Sequence, residues 1–222
     1  IRGVGKTTTA RLIAKALNCE KLSNLKINCT DKNLCNTCQE IVNSNHIDIL
    51  EMDAASKTGI DDVRELIENS KYSPTSAKFK IFIIDEVHML SKQAFNGLLK
   101  TLEEPPSSLK FILATTEKNK ILPTILSRCQ IYDFNRISEN EIFENLKLIC
   151  NKEEVTFEDE ALNIIAKKSD GSLRDSLTIL DRVVSFTNKK ISLRETSAIL
   201  NVLDDETFIE IVDNTINGNL VK

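Results

Sequence analysis

The run Gly3-Val4-Gly5-Lys6-Thr7 constrains this chain most. It stands directly before Thr7 to Leu17, where Leu12, Ile13, Ala16 and Leu17 fall on one side of a helix. Glycines allow backbone N–H groups to close around phosphate oxygens. A helix that starts at that point aims its positive end at the same anion. In the pattern G-x-x-x-x-G-K-[ST], the lysine reaches the β- and γ-phosphates and the hydroxyl binds Mg²⁺. Lys6 and Thr7 take those places, and Gly3, Val4, Gly5, Lys6, Thr7 and Thr8 are the candidate nucleotide-binding residues. The first glycine of the pattern falls one position before Ile1.

The chain continues as such a loop requires. Ile47 to Met52, Lys80 to Ile84, Phe111 to Ala114 and Ile131 to Phe134 read as strands. Between them, Asp61 to Ser70 reads as a helix through Val63, Leu66 and Ile67. Ser91 caps another, with Phe95, Leu98, Leu99 and Leu102 on one stripe and Pro105-Pro106 as its stop. Alternating helix and strand predicts a parallel sheet with helices on its faces. Beyond about Arg136 the strands are expected to stop. Ser138 and Glu141 form a capping-box signature, and helices follow with Ile142, Leu146 and Ile149, then over Ala161 to Lys168 and Leu173 to Phe186. The expected organisation is an α/β nucleotide-binding domain over 1–137, an all-α lid over 138–201 and the start of a third domain over 202–222.

Composition sets limits on this reading. A 41% hydrophobic chain can build a core, so disorder over most of its length is excluded. No run of 18 apolar residues exists, which excludes a helical membrane span. The net charge of −4 excludes a strongly basic nucleic-acid binder, so DNA contact needs a local patch or an assembly.

Ile81-Phe82-Ile83-Ile84-Asp85-Glu86 is an apolar strand ending in two carboxylates. Such a strand is buried on both faces and delivers both acids to one sheet edge. Asp85 is the candidate for the Mg²⁺ shell, and Glu86 for orienting and polarising the attacking water. His88 completes DEVH, a sequence shared with DExH-box helicases, whose second nucleotide-binding lobe has no room here. Cys19, Cys29, Cys35 and Cys38 are spaced C-x9-C-x5-C-x2-C. Four thiolates can surround one Zn²⁺ tetrahedrally at about 2.3 Å per bond. Free thiols, or a redox pair at Cys35 and Cys38, are the alternatives. Cys129 and Cys150 sit in or beside apolar runs and read as packing residues, and His46 reads as structural.

Taken in order, GVGKT, the four cysteines, IIDEVHMLS, NGLLKTLEEPP, FILATTE, LPTILSRC and GSLRDSL resemble one family over essentially the whole chain. It is that of the gamma/tau ATPase subunits of the bacterial DNA polymerase III clamp loader, in the AAA+ superfamily. The resemblance implies an AAA+ P-loop sheet, a helical lid and the start of a collar. It implies hydrolysis of ATP with Mg²⁺ to load a sliding clamp onto primed DNA, within a pentameric ring of clamp-loader subunits in the bacterial cytoplasm. Arg128 is then the arginine finger for a neighbouring subunit, Arg174 the sensor-2 arginine of its own site, and Thr116 sensor 1. The four cysteines become the family's zinc module, with a longer gap between Cys29 and Cys35. The P-loop strand, central in the family's order 5-1-4-3-2, would precede Ile1. That implies a gap of about 10 Å between Phe111–Ala114 and Ile131–Phe134, and poor stability and ATP binding by residues 1–222 alone. Two rivals are a non-catalytic clamp-loader scaffold and another AAA+ DNA-processing ATPase.

Overall fold

A computed structural model describes residues 1–23, 26–27, 29, 33–56 and 59–201. The expected start of a collar at 202–222 lies outside the described residues. The chain divides into two compact units, one formed by Gly5–Phe134 and one by Ile1–Val4 with the residues from Asn135 onward.

In the first unit the elements run α1 (Lys6–Asn18), β1 (Leu22–Ser23), β2 (Lys26–Ile27), α2 (Asn36–Val42), β3 (Ile49–Asp53), α3 (Ile60–Ser70), β4 (Lys80–Asp85), α4 (Lys92–Glu103), β5 (Leu109–Leu113) and α5 (Pro123–Leu126). β1 and β2 form a short antiparallel hairpin. β3, β4 and β5 form a parallel sheet in that order, with Met52 opposite Ile84 and Ile84 opposite Leu113. β4 is central, which explains why its sequence is apolar without alternation. Phe82 and Ile84 enter a core with Val63 and Leu66 of α3, Phe95 and Leu98 of α4, and Ile125 of α5. Ile81 and Ile83 point the other way and pack on Ala10 and Ala14 of α1. All four β4 residues are at most 1% exposed, so the sheet is covered on both faces at its centre.

Two expectations about strands need correction. Residues 131–134 form no strand, because no backbone among the described residues offers them a ladder, β5 included. Ile131 and Tyr132 are instead 45% and 68% exposed. Ile47 and Asp48 precede β3 in a turn, where the ring Nδ1 of His46 accepts the Asp48 N–H at 3.0 Å.

The second unit holds α6 (Glu139–Lys152), β6 (Thr156–Phe157), α7 (Asp159–Lys168), α8 (Leu173–Phe186), β7 (Lys190–Ile191) and α9 (Leu193–Ile199). The expectation that strands end after the sheet misses β6 and β7, a parallel two-residue pair. They are too short to carry a periodicity. Ile142, Leu146, Leu162, Ile165, Leu180, Val183 and Ile191 form the core. Three helices open on a serine that accepts an N–H three residues on: Ser138 from Glu141, Ser172 from Asp175 and Ser192 from Glu195. At α6 the Glu141 carboxylate also accepts the Ser138 N–H, completing the capping box.

Candidate functional site

The site forms at the C-terminal edge of β4. Gly5 is the N-cap of α1 in the left-handed region at φ 88, with no side-chain cap, and the first turn contains no acidic residue. This leaves the positive end of α1 compatible with an anion. The Thr7 hydroxyl donates to Asp85 Oδ2 at 2.5 Å, so a helix start and a strand end 78 residues apart meet. Asp85 Oδ1 accepts the Glu86 N–H at 2.9 Å. Glu86 turns the chain out of the sheet in the left-handed region, at φ 46 and ψ 42. A non-glycine residue held there is strained, and such strain clusters at functional positions.

Glu86 Oε2 accepts the Thr116 N–H at 3.1 Å and the Thr116 hydroxyl at 2.9 Å. Thr116 reaches it because β5 lies beside β4, and because the Val87 N–H donates to Ala114 O at 3.0 Å. Thr7, Asp85, Glu86 and Thr116 are therefore brought together. Thr8 is exposed on the same helix start.

Arg128 is placed elsewhere. It follows α5, is exposed, and donates to Glu103 Oε1 at 2.7 Å and to Thr124 O at 2.6 Å. Gly3 and Val4 belong to the second unit. The Gly3 carbonyl accepts the N–H groups of Leu173 and Arg174 at 3.0 and 3.3 Å, satisfying two donors at the start of α8. A Cβ at Gly3 would lie 2.1 Å from Ser172 Oγ, and φ is 72, so this position serves the helix packing as well as the loop. Arg174 is exposed in the first turn of α8.

The four cysteine sulfurs converge. All lie within 4.8 Å of one another, with Cys19, Cys35 and Cys38 buried and Cys29 half-buried. Four ligands at about 2.3 Å from one ion would stand about 3.8 Å apart, so the set fits a tetrahedral thiolate centre. Backbone amides support the sulfurs. The Cys35 N–H donates to Cys29 Sγ at 3.4 Å, and the Cys38 N–H to Cys35 Sγ at 3.5 Å, where Cys35 caps α2. Burial pushes the Cys38 thiol well up. At Cys35 burial acts the same way, but donors from the backbone and the neighbouring thiols outweigh it and bring the thiol down to about 7. Cys150 is buried in the helical core and Cys129 packs against the sheet core, both thiols raised by burial.

Sequence reasoning assigned no role to His88, Thr115, Glu117, Glu103 or Asp48. The fourth letter of DEVH was the only signal for the first. Thr115, Glu117, Glu103 and Asp48 are polar residues that each have at least one partner 25 or more residues away.

With this geometry in hand, comparison with known proteins decides the family. The family model for the DNA polymerase III delta subunit matches residues 1–138, and that for the DNA polymerase III clamp loader subunit ATPase lid domain matches 141–189. The chain is 43% identical over 218 residues to the DNA polymerase III subunit tau of Salmonella typhimurium, covering 98% of this chain and 33% of that protein. This chain belongs to the DNA polymerase III gamma/tau family. The gamma subunit of Buchnera aphidicola subsp. Schizaphis graminum is 47% identical over 201 residues, 90% of this chain and 54% of that protein. The chain thus spans about a third to three fifths of the gamma/tau relatives it matches. The solved Holliday junction branch migration motor RuvB of Thermotoga maritima has a TM-score of 0.63 at 21% identity, over 93% of this chain and 61% of that one. At that identity the likeness shows the fold alone, which is AAA+: a parallel sheet flanked by helices, then a helical lid. No helix among the described residues is long and apolar enough to cross a membrane.

Proposed function

We propose that this chain is the ATPase part of a bacterial clamp-loader subunit, which hydrolyses ATP to load a sliding clamp onto primed DNA. The observation that carries the reading is the meeting of Thr7, Asp85, Glu86 and Thr116 at one sheet edge in a gamma/tau family chain. Gly3, Val4, Gly5 and Thr8 cradle the phosphates with backbone N–H groups, and Lys6 neutralises the β- and γ-oxygens. Thr7 and Asp85 would hold Mg²⁺, which when bound would supply charge neutralisation at the phosphate oxygens. Their direct hydrogen bond, at 2.5 Å, supports that pairing. Glu86 orients and polarises the attacking water, and Thr116 fixes the direction of that carboxylate.

Arg128 acts in trans, on the site of the next subunit in a pentameric ring, and Arg174 acts in cis on the γ-phosphate. Glu103 holds the Arg128 guanidinium when no neighbour is docked. An arginine finger is worth about 10³–10⁵ in rate, so the isolated subunit turns over slowly. Cys19, Cys29, Cys35 and Cys38 hold a structural Zn²⁺, closing the module between α1 and α2 with no open position. With a net charge of −4, primed DNA is gripped through the assembly, with a shallow salt slope for a single chain.

The test is ATP turnover by the full-length subunit in its native ring. Lys6→Ala abolishes nucleotide binding, whereas Arg128→Ala leaves binding intact and removes turnover. A wild-type ring with no DNA-stimulated hydrolysis assignable to this subunit would instead make it a scaffold. Metal analysis of the purified full-length protein should find one zinc per chain, lost in Cys38→Ser.

A further inference from the structure

His88 is left unused by the chemistry above, yet its side chain is only 6% exposed. It sits in the short 3₁₀ turn Val87–Met89 that follows Glu86. The ring lies between the loops that end β4 and β5, and each nitrogen faces an oxygen. Nδ1 is 3.0 Å from Thr115 Oγ1 and 3.3 Å from Glu86 Oε2. Nε2 is 3.3 Å from Glu117 Oε1. Lys120 in turn pairs with that same Glu117 oxygen at 2.8 Å, and Thr115 Oγ1 accepts the Glu117 N–H at 3.0 Å.

We infer that His88 is a positioning residue that aims the Glu86 carboxylate; this rests on Glu86 being the group that activates water. The hydrogen bond between Nδ1 and Thr115 Oγ1, together with the burial of the ring, holds it in this orientation. Thr115 therefore fixes the ring, which presents Nδ1 to Glu86. With its proton on Nδ1, the ring places a third donor beside the oxygen that already takes two from Thr116. The arrangement parallels the outer partners of metal-bound histidines, which orient a reactive group without touching substrate.

The two ring nitrogens give a test that a purely structural role would not pass. Asn places its amide nitrogen where Nδ1 stands and Gln where Nε2 stands, so Asn keeps the Glu86 contact and Gln keeps the Glu117 contact. In the full-length subunit assembled in its ring, His88→Ala should lower kcat about 10-fold with KM for ATP unchanged. His88→Asn should stay within about 3-fold of wild type, and His88→Gln should behave like His88→Ala. An unchanged kcat in His88→Ala overturns the proposal. So do equal activities of the Asn and Gln variants, or a loss that appears in KM alone. Glu86→Gln run in parallel separates the two readings. If it retains full turnover, the water-activating role of Glu86 fails. If it is inactive while all His88 variants are normal, only the positioning role fails. Melting temperatures of the three His88 variants that differ in the same order as kcat would also overturn it, as a packing effect.

Discussion

The two units offer contrasting uses of polar side chains. In the helical unit the serine caps act locally. Ser138, Ser172 and Ser192 each bond a backbone N–H three residues on, and each serves one helix start. In the α/β unit three buried polar side chains span distance. Asp48 is fully buried and accepts N–H groups from Thr75, Ser76 and Ala77 at 2.8 to 3.0 Å. Asn18, at the end of α1, exchanges two hydrogen bonds with the backbone of Phe79. The Lys80 ammonium donates to the carbonyls of Asn69 and Tyr72 at the end of α3. The difference teaches where cooperativity resides. A cap can be lost one helix at a time, whereas a buried carboxylate that collects a whole loop fails together with the strand that follows it.

Six substitutions would break or sharpen this contrast. The largest effect is expected at Glu86, where a long-range tie is also the reactive group. Glu86→Gln should lower ATP turnover of the assembled ring by about 10²–10⁴, with nucleotide binding retained in an equilibrium titration. Next, Asp48→Ala should destabilise by about 3 kcal/mol in denaturant melts of the full-length protein, since it removes the buried acceptor that three N–H groups share.

Asp48 also carries a pH signature. Burial alone would raise its carboxyl, but the Ser76, Thr75 and Ala77 amides outweigh it and hold the group below the usual carboxylate range. A depressed group contributes fully above the unfolded value of about 3.9 and loses its contribution as pH falls through the folded value. The stability difference between wild type and Asp48→Asn should therefore be flat above about pH 5 and shrink below about pH 4. A difference that grew on acidification would contradict the arrangement.

Smaller effects belong to the helical unit. Ser138→Ala and Ser172→Ala should each cost about 1 kcal/mol, additively, as separate caps do. Strong coupling between them would show that the caps are less local than described. The smallest change is expected at Thr196, fully buried in α9 with a hydroxyl that finds no partner among the described residues. Thr196→Val should leave stability unchanged or raise it by up to about 1 kcal/mol in the same melts.

The sequence by itself determined the elements whose causes lie within a few residues. The unbroken apolar run over 81–84 announced a central strand, Ser138 with Glu141 announced the start of α6, and Pro105-Pro106 the end of α4. The glycine-lysine-threonine run, the Asp-Glu pair and the cysteine spacing were equally readable, because a motif is a local arrangement of residue types. Tertiary structure alone decided what pairs with what. Residues 131–134 have strand-like composition, but a strand exists only where a neighbouring backbone supplies a ladder. Gly3 read as a phosphate-loop glycine, and only packing gave its carbonyl to α8. The grip of Thr116 on Glu86 follows from β5 lying beside β4, a juxtaposition of residues 30 apart that no local pattern encodes.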